Sequence, residues 1–271
     1  MQFNSSTKDE VITSSGNIAN AMLQAVPFSH IGLFEGIGGF SLAARWMGWE
    51  TIAWCEWIEY NKKILRKHFP KANEHGDITK TDFTIYRGNC DLITGGFPCQ
   101  PFSTAGKMRG QEDERYLWDE MFRAIKEVNP DWVVAENVTG FVNIGLDKTI
   151  NDMESEGYET RAFIIPACSV GAWHKRERVW IVANLNGRGW NTQPLLCTST
   201  QERYSANDAN CSNATERGQN QWMAEPDLVR VVHGVSRKLD KIRVKQLGNS
   251  IVPQIALEIF KAVQGVSRHC L

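Results

Sequence analysis

Apolar strand-like runs that alternate with helical patterns set the tightest limit on what this chain can become. HIGLF at residues 30–34 precedes a helical pattern from Ser41 to Met47, and TIAWCE precedes one from Ile58 to His68. DLIT is followed later by Tyr116 to Val128, and DWVVAE by Leu146 to Glu156. Short runs that are apolar throughout suit strands covered on both faces, with the intervening helices as crossovers. Two more runs, RAFII and RVWIVA, extend the sheet to about residue 183. The expected fold class is α/β, a doubly wound and mostly parallel sheet.

The composition divides the chain. Residues 1–27 are largely polar without a periodic apolar face and read as a mobile N-terminal arm, leaving 28–183 as the principal domain. Residues 184–221 are rich in Asn, Gln, Ser and Thr, so 184–245 reads as a small irregular lobe or loop region. A helical pattern from Pro253 to Val263 makes 246–271 a segment that returns to the main domain. With 271 residues, 42% of them hydrophobic, the chain can bury one sizeable core.

Thirty Lys and Arg balance thirty-one Asp and Glu, for a net charge of -1. A surface for a polyanion must therefore come from local clustering of basic residues. The seven cysteines form no Cys-x-x-Cys pair and no Cys/His group at zinc spacing, so no metal and reduced thiols are expected. No signal peptide or membrane-spanning run is apparent, and a soluble, cytoplasmic monomer is the expectation.

Three places carry chemistry. The first is Phe34-Glu-Gly36-Ile-Gly38-Gly39, which follows a strand and opens a helix where glycines let backbone approach a ligand. Glu56 ends the second strand, where a carboxylate can accept from ribose hydroxyls, and Asp77 could accept from an adenine amino group. An adenosine-containing cofactor is implied. A nicotinamide dinucleotide remains an alternative here, although Ser41 stands where its motif has a third glycine.

The second is Gly95-Gly-Phe-Pro98-Cys99-Gln-Pro101, which puts Cys99 at the carboxyl end of a central strand between two prolines that restrict its backbone. A thiol held in one direction can serve as a nucleophile if positive potential favours the thiolate. The third combines Glu136-Asn-Val with His174-Lys-Arg176-Glu-Arg178. Glu136, after an apolar run, should be pushed toward its protonated form. Strand alternation would put Arg176 and Arg178 on one face, suited to a base, phosphate or carboxylate.

These blocks, in order with Gln-Leu-Gly-Asn-Ser-Ile-Val-Pro at 246–253, resemble the cytosine-5 DNA methyltransferases, in particular compact phage and bacterial forms. The resemblance implies a Rossmann-like S-adenosylmethionine-dependent methyltransferase fold with a small target-recognition lobe. It implies that Cys99 adds to carbon 6 of a cytosine flipped out of double-stranded DNA, that Glu136 protonates or hydrogen-bonds ring nitrogen 3, and that Arg178, with Arg176 behind it, supports the base or thiolate. The implied S-adenosylmethionine pocket takes Phe34, Gly36, Gly38, Gly39, Glu56, Trp57, Asp77, Ile78, Pro98, Leu117, Asn249 and Ser250. Ser103, Lys107 and Arg109 match the family's mobile loop and would contact phosphates. His174 departs from the family, which usually has Gln there.

Residues 228–246 hold the densest basic patch, with Arg230, Arg237, Lys238, Lys241 and Arg243 expected on the DNA backbone. Base-edge contacts would fall to residues 184–222, and so short a segment predicts a site of about four base pairs or a degenerate one. A restriction endonuclease cutting the same site is a candidate partner, with protection from restriction or phage evasion as the role. Transfer RNA is the rival substrate, although the Cys-Phe-Thr signature of that branch is absent. A catalytically silent DNA-binding module would be expected to lack Cys99 or Glu136.

Overall fold

The computed structural model describes residues 27–98, 117–185 and 237–267. They form β1 (Ser29–Leu33), α1 (Gly39–Trp46), β2 (Glu50–Cys55), α2 (Glu59–His68), β3 (Asn73–His75) and β4 (Leu92–Gly95). After the first gap come α3 (Trp118–Val128), β5 (Trp132–Val138), α4 (Leu146–Ser155), β6 (Tyr158–Ile165) and β7 (Arg178–Leu185). Two helices follow the second gap, α5 (Arg237–Asn249) and α6 (Pro253–Ser267).

The strands make one seven-stranded sheet in the order β3-β2-β1-β4-β5-β7-β6. It is parallel from β3 to β5, while β7 runs antiparallel to both β5 and β6. Both faces are covered, as the apolar runs require. Val133, Ala135, Val179 and Ile181 point to a core shared with Trp118, Met121 and Ile125 of α3 and Met153 of α4. Their neighbours Trp132, Val134, Trp180 and Val182 face the other way, against Phe40 and Ala44 of α1 and Ile255 and Phe260 of α6. This period-two division is what a doubly wound sheet needs.

Local chemistry sets the ends of the helices. Trp118, Met121, Ala124, Ile125 and Val128 recur at helical spacing and are all buried, so α3 lies flat on the sheet. Asp119 and Glu120 complement its N-terminal dipole, and Asn129 ends it in the left-handed region at φ 55°. Helix α5 runs through the position 245/246 at which the composition suggested a boundary. The expected arm falls almost entirely outside the described residues, as does most of 184–245.

Candidate active site

The strand order reverses at β1, which has β2 on one side and β4 on the other. The crevice beyond the carboxyl ends of β1 and β4 is where open α/β sheets bind ligands. The glycine turn lines it: Phe34, Gly36 and Gly38 all have positive φ, at 51°, 60° and 95°. Nothing lies within 4 Å of where a Cβ on Gly36 would sit, so that backbone is open to a ligand. Gly39 is the opposite case, since a Cβ there would come within 2.6 Å of Ile251 and 3.5 Å of the Ser250 hydroxyl.

The turn is thus pressed against the chain between α5 and α6, and Gly39→Val is expected to lower stability by about 1–3 kcal/mol through overpacking. Urea unfolding checks this, and an unchanged midpoint would show that Ile251 yields freely.

Glu56 sits directly after β2 and braces the turn. Its Oε2 accepts from Gly36 N at 2.7 Å and its Oε1 from Ile58 N at 2.6 Å. Burial raises its carboxyl above the usual range, and these backbone donors pull the other way. Each carboxylate oxygen keeps a further lone pair for a ligand hydroxyl. The neighbouring Trp57 indole is 70% exposed, an unusual state for so large an apolar ring and one suited to stacking.

Asp77 caps the short 3-10 turn Ile78–Lys80, accepting from Thr79 N at 3.1 Å and from its hydroxyl at 2.8 Å, with Lys80 Nζ 3.4 Å from the other oxygen. The Thr79 hydrogen bonds hold its carboxyl below the usual range. Ile78 is buried. Pro98 and Leu117, the residue before α3, are half-buried.

Across the crevice, Glu136 lies near the end of β5, buried, with Oε1 3.0 Å from Arg178 Nε. Burial pushes its carboxyl up to about 7 and outweighs the opposing pull of Arg178 and then Arg176. A Cβ on Gly96 would stand 3.5 Å from Glu136 Oε2, so the loop after β4 passes directly beside this carboxyl. Asn137 Nδ2 donates to Phe97 O at 3.2 Å, and the Phe97 ring packs on Trp118 and Phe141. The loop is therefore fixed up to Pro98, immediately before Cys99. Cys99 itself lies outside the described residues, as do Ser103, Lys107, Arg109 and Arg230.

The arginine pair does not follow strand alternation. Arg178 opens β7, but Arg176 precedes it with φ 30°, a left-handed conformation in which period two no longer applies. Its Nη2 instead donates to Gly248 O at 2.8 Å and Ser250 O at 2.7 Å. Arg176 thereby holds Asn249 and Ser250 at the mouth of the crevice.

Arg243 is exposed on α5; Arg237, Lys238 and Lys241 belong to the same helix, with side chains outside the description. Among the described residues no group of three His, Cys, Asp or Glu could hold a metal, and no helix is long and apolar enough to cross a membrane.

Sequence reasoning passed over two carboxyl and amide groups. Glu35, inside the glycine turn, is buried and pushed up to about 7 by that burial while its Oε1 accepts from Ser41 N at 2.8 Å. Asn137 stood inside the Glu-Asn-Val block without a role, and its structural signal is the bond to Phe97 O. The expectation of reduced thiols also needs correction: Cys55 and Cys90 are free and buried, but Cys168 is disulfide-bonded. Spacing along the chain does not show which sulfurs folding brings together.

The sequence profile of C-5 cytosine-specific DNA methylases matches residues 28–230. The chain belongs to this family. Among curated relatives, Type II methyltransferase M.Eco47II of Escherichia coli is 40% identical over 163 residues, 57% of this chain and 39% of that protein. M.HhaI of Haemophilus parahaemolyticus is 34% identical over 161 residues, 58% of this chain and 49% of that protein. The chain thus matches less than half the length of either relative.

Among solved structures, a putative DNA modification methyltransferase encoded within an E. coli prophage superposes with TM-score 0.50 at 26% identity, covering 59% of this chain and 47% of that one. A Spodoptera frugiperda DNMT2 mutant gives TM-score 0.51 at 25% identity, covering 60% and 52%. These neighbours agree with the mostly parallel, Rossmann-like sheet of this chain.

Proposed function

We propose that the chain transfers a methyl group from S-adenosylmethionine to carbon 5 of a cytosine flipped out of double-stranded DNA, with Cys99 as covalent nucleophile. The observation that carries this reading is the buried Glu136 carboxyl, paired with Arg178 and lying against the loop that leads into Cys99. A cytosine ring lodged there would meet a proton donor in Glu136, beside the loop that leads into the nucleophile.

Cofactor and crevice fit each other. The backbone at Gly36 is open, Glu56 beside it has acceptor capacity for ribose hydroxyls, and the exposed Trp57 offers an adenine a stacking face. Ile78, Asp77, Pro98, Leu117, Asn249 and Ser250 would complete the pocket. When bound, S-adenosylmethionine supplies an electrophilic methyl carbon.

The residues of the chain do the rest. The Cys99 thiolate forms a bond to carbon 6, while Glu136 donates its proton or a hydrogen bond to ring nitrogen 3, so the electrons of the 5,6 double bond become available at carbon 5. After methylation, water takes the proton from carbon 5, which restores the double bond and expels the thiolate, and ring nitrogen 3 returns any proton it received to Glu136. Arg178 holds Glu136 in place, and Arg176 keeps the Asn249–Ser250 segment at the mouth.

Expression in a host free of cytosine methylation, followed by bisulfite sequencing, tests the function. Protected cytosines within a recurring duplex motif are expected. Methylation of transfer RNA with unmodified genomic DNA would overturn the choice of substrate, and modification of neither would overturn the activity. A restriction endonuclease specific for the mapped motif is the partner this reading expects.

A further inference from the structure

The Glu56 carboxyl does not end its contacts at the glycine turn. The side chain of Asn61 in α2 lies close enough to help draw that carboxyl back down against the effect of burial. Asn61 Nδ2 donates to Gln246 Oε1 of α5 at 3.2 Å, across 185 residues of chain. Both members of this pair are buried, at 1% and 6% exposure. Glu56, bonded to Gly36 N, and Asn61, bonded to Gln246, thus stand next to each other between the glycine turn and α5.

The way α5 is attached gives that path its meaning. Of the α5 side chains described, Gln246 alone is buried, whereas Arg243, Val244, Lys245 and Leu247 are exposed. Among the described α5 side chains Ile242 is half-buried, and the amide of Gln246 makes the hydrogen bond to the catalytic domain. Just beyond Gln246, Ser250 N donates to Gln246 O at 3.0 Å and Arg176 grips Gly248 O and Ser250 O. One short stretch is thus tied to Glu56 on the cofactor side and, through Arg176, to the Glu136 side.

The pair is not optimised as a static staple. Asn61 Oδ1 is buried without a hydrogen-bond partner among the described residues, a cost that an apolar pair at the same place would not carry. Meanwhile α5 presents Arg243 and Lys245 outward, cations of the kind that grip phosphates.

We propose that Asn61 and Gln246 are positioning residues that couple duplex DNA held on α5 to cofactor affinity at Glu56. The inference rests on the cofactor reading above. DNA phosphates fix α5, α5 fixes Gln246, and Gln246 orients Asn61 and hence the carboxylate that meets the ribose. By reciprocity the cofactor tightens DNA to the same degree.

Calorimetric titration of S-adenosylhomocysteine into the full chain, with and without saturating mixed-sequence duplex DNA, reads the coupling directly. The wild type is expected to bind about tenfold tighter with DNA present, within the usual range of such couplings. Gln246→Leu and Asn61→Leu should each reduce that factor to about twofold or less, and the double variant should lose no more than either single one. If a single substitution prevents folding by stranding its partner, the double leucine variant, which removes both polar groups, still supplies the measurement.

Variants that keep the wild-type factor and lose only thermal stability would make the pair a structural staple and overturn the proposal. A wild type with no coupling would overturn it too. Failure of the wild type to bind S-adenosylhomocysteine at all would overturn the cofactor reading itself, and the inference with it.

Discussion

Duplex DNA with 5-fluorocytosine at the target position is expected to form a denaturation-resistant adduct with the wild-type chain and S-adenosylmethionine, and Cys99→Ala to form none. Fluorine cannot leave carbon 5 as a proton does, so once the methyl group is in place the thiolate cannot be expelled and the covalent bond persists. The adduct therefore reports the bond to carbon 6 and not merely binding. The free thiols among the described residues are poor candidates for a substitute nucleophile. Cys55 is buried and pushed up to about 12, chiefly by desolvation, and Cys90 is buried and raised for the same reason. An adduct in the alanine variant would place the nucleophile elsewhere, and no adduct with an active wild type would remove the covalent step.

Most of the sheet could be read from the chain because burial on both faces writes itself as continuous apolar runs. Trp132-Val-Val-Ala, buried throughout, is the clearest case, and Val179-Trp-Ile-Val-Ala is a second. What the runs do not encode is direction. The linker between β6 and β7 holds only a single 3-10 turn, Ala167–Val170, in place of a crossover helix, so the two strands pair antiparallel. The edge strand β3 was invisible for another reason: Asn73-Glu-His75 is three polar residues without an apolar signal, held by backbone pairing to β2.

The candidate site divides the same way. Residues on the turns at strand ends, such as Gly36, Glu56 and Glu136, announce themselves because local backbone and nearby apolar runs fix where they must lie. Contacts between distant segments do not. Nothing in the spacing of Asn61 and Gln246 shows that they meet, and nothing in Lys-Arg-Glu-Arg shows that Arg176 leaves the strand at φ 30° to hold Gly248 and Ser250. Both depend on how α5 returns to the sheet, a tertiary event outside the reach of periodicity.

Glu136→Gln is expected to lower the single-turnover methylation rate by about 10²–10⁴-fold, the usual range for a positioned general acid, while leaving cofactor affinity within about threefold. The amide can still donate a hydrogen bond to ring nitrogen 3, but it has no proton to give, and it removes the charge that pairs with Arg178 at 3.0 Å. The pH profile separates those two losses. Burial lifts the carboxyl to about 7, so in the wild type the protonated form dominates below that value and is lost as pH rises through it. The donor limb of the rate should therefore fall above about pH 7, opposite in direction to the rise expected from Cys99 ionisation, and together they give a bell. In Glu136→Gln the falling limb should disappear, leaving only the rise. The same shift has a consequence for folding: between the ordinary carboxylate range and about pH 7 the folded chain keeps a proton that the unfolded chain has released, so this group's contribution to stability declines as pH increases across that window. Rate against pH for both proteins, measured under single-turnover conditions, decides the matter. An unchanged rate in the variant, or a falling limb that survives the substitution, would leave Glu136 as the partner that positions Arg178 and would move the proton donor to another group.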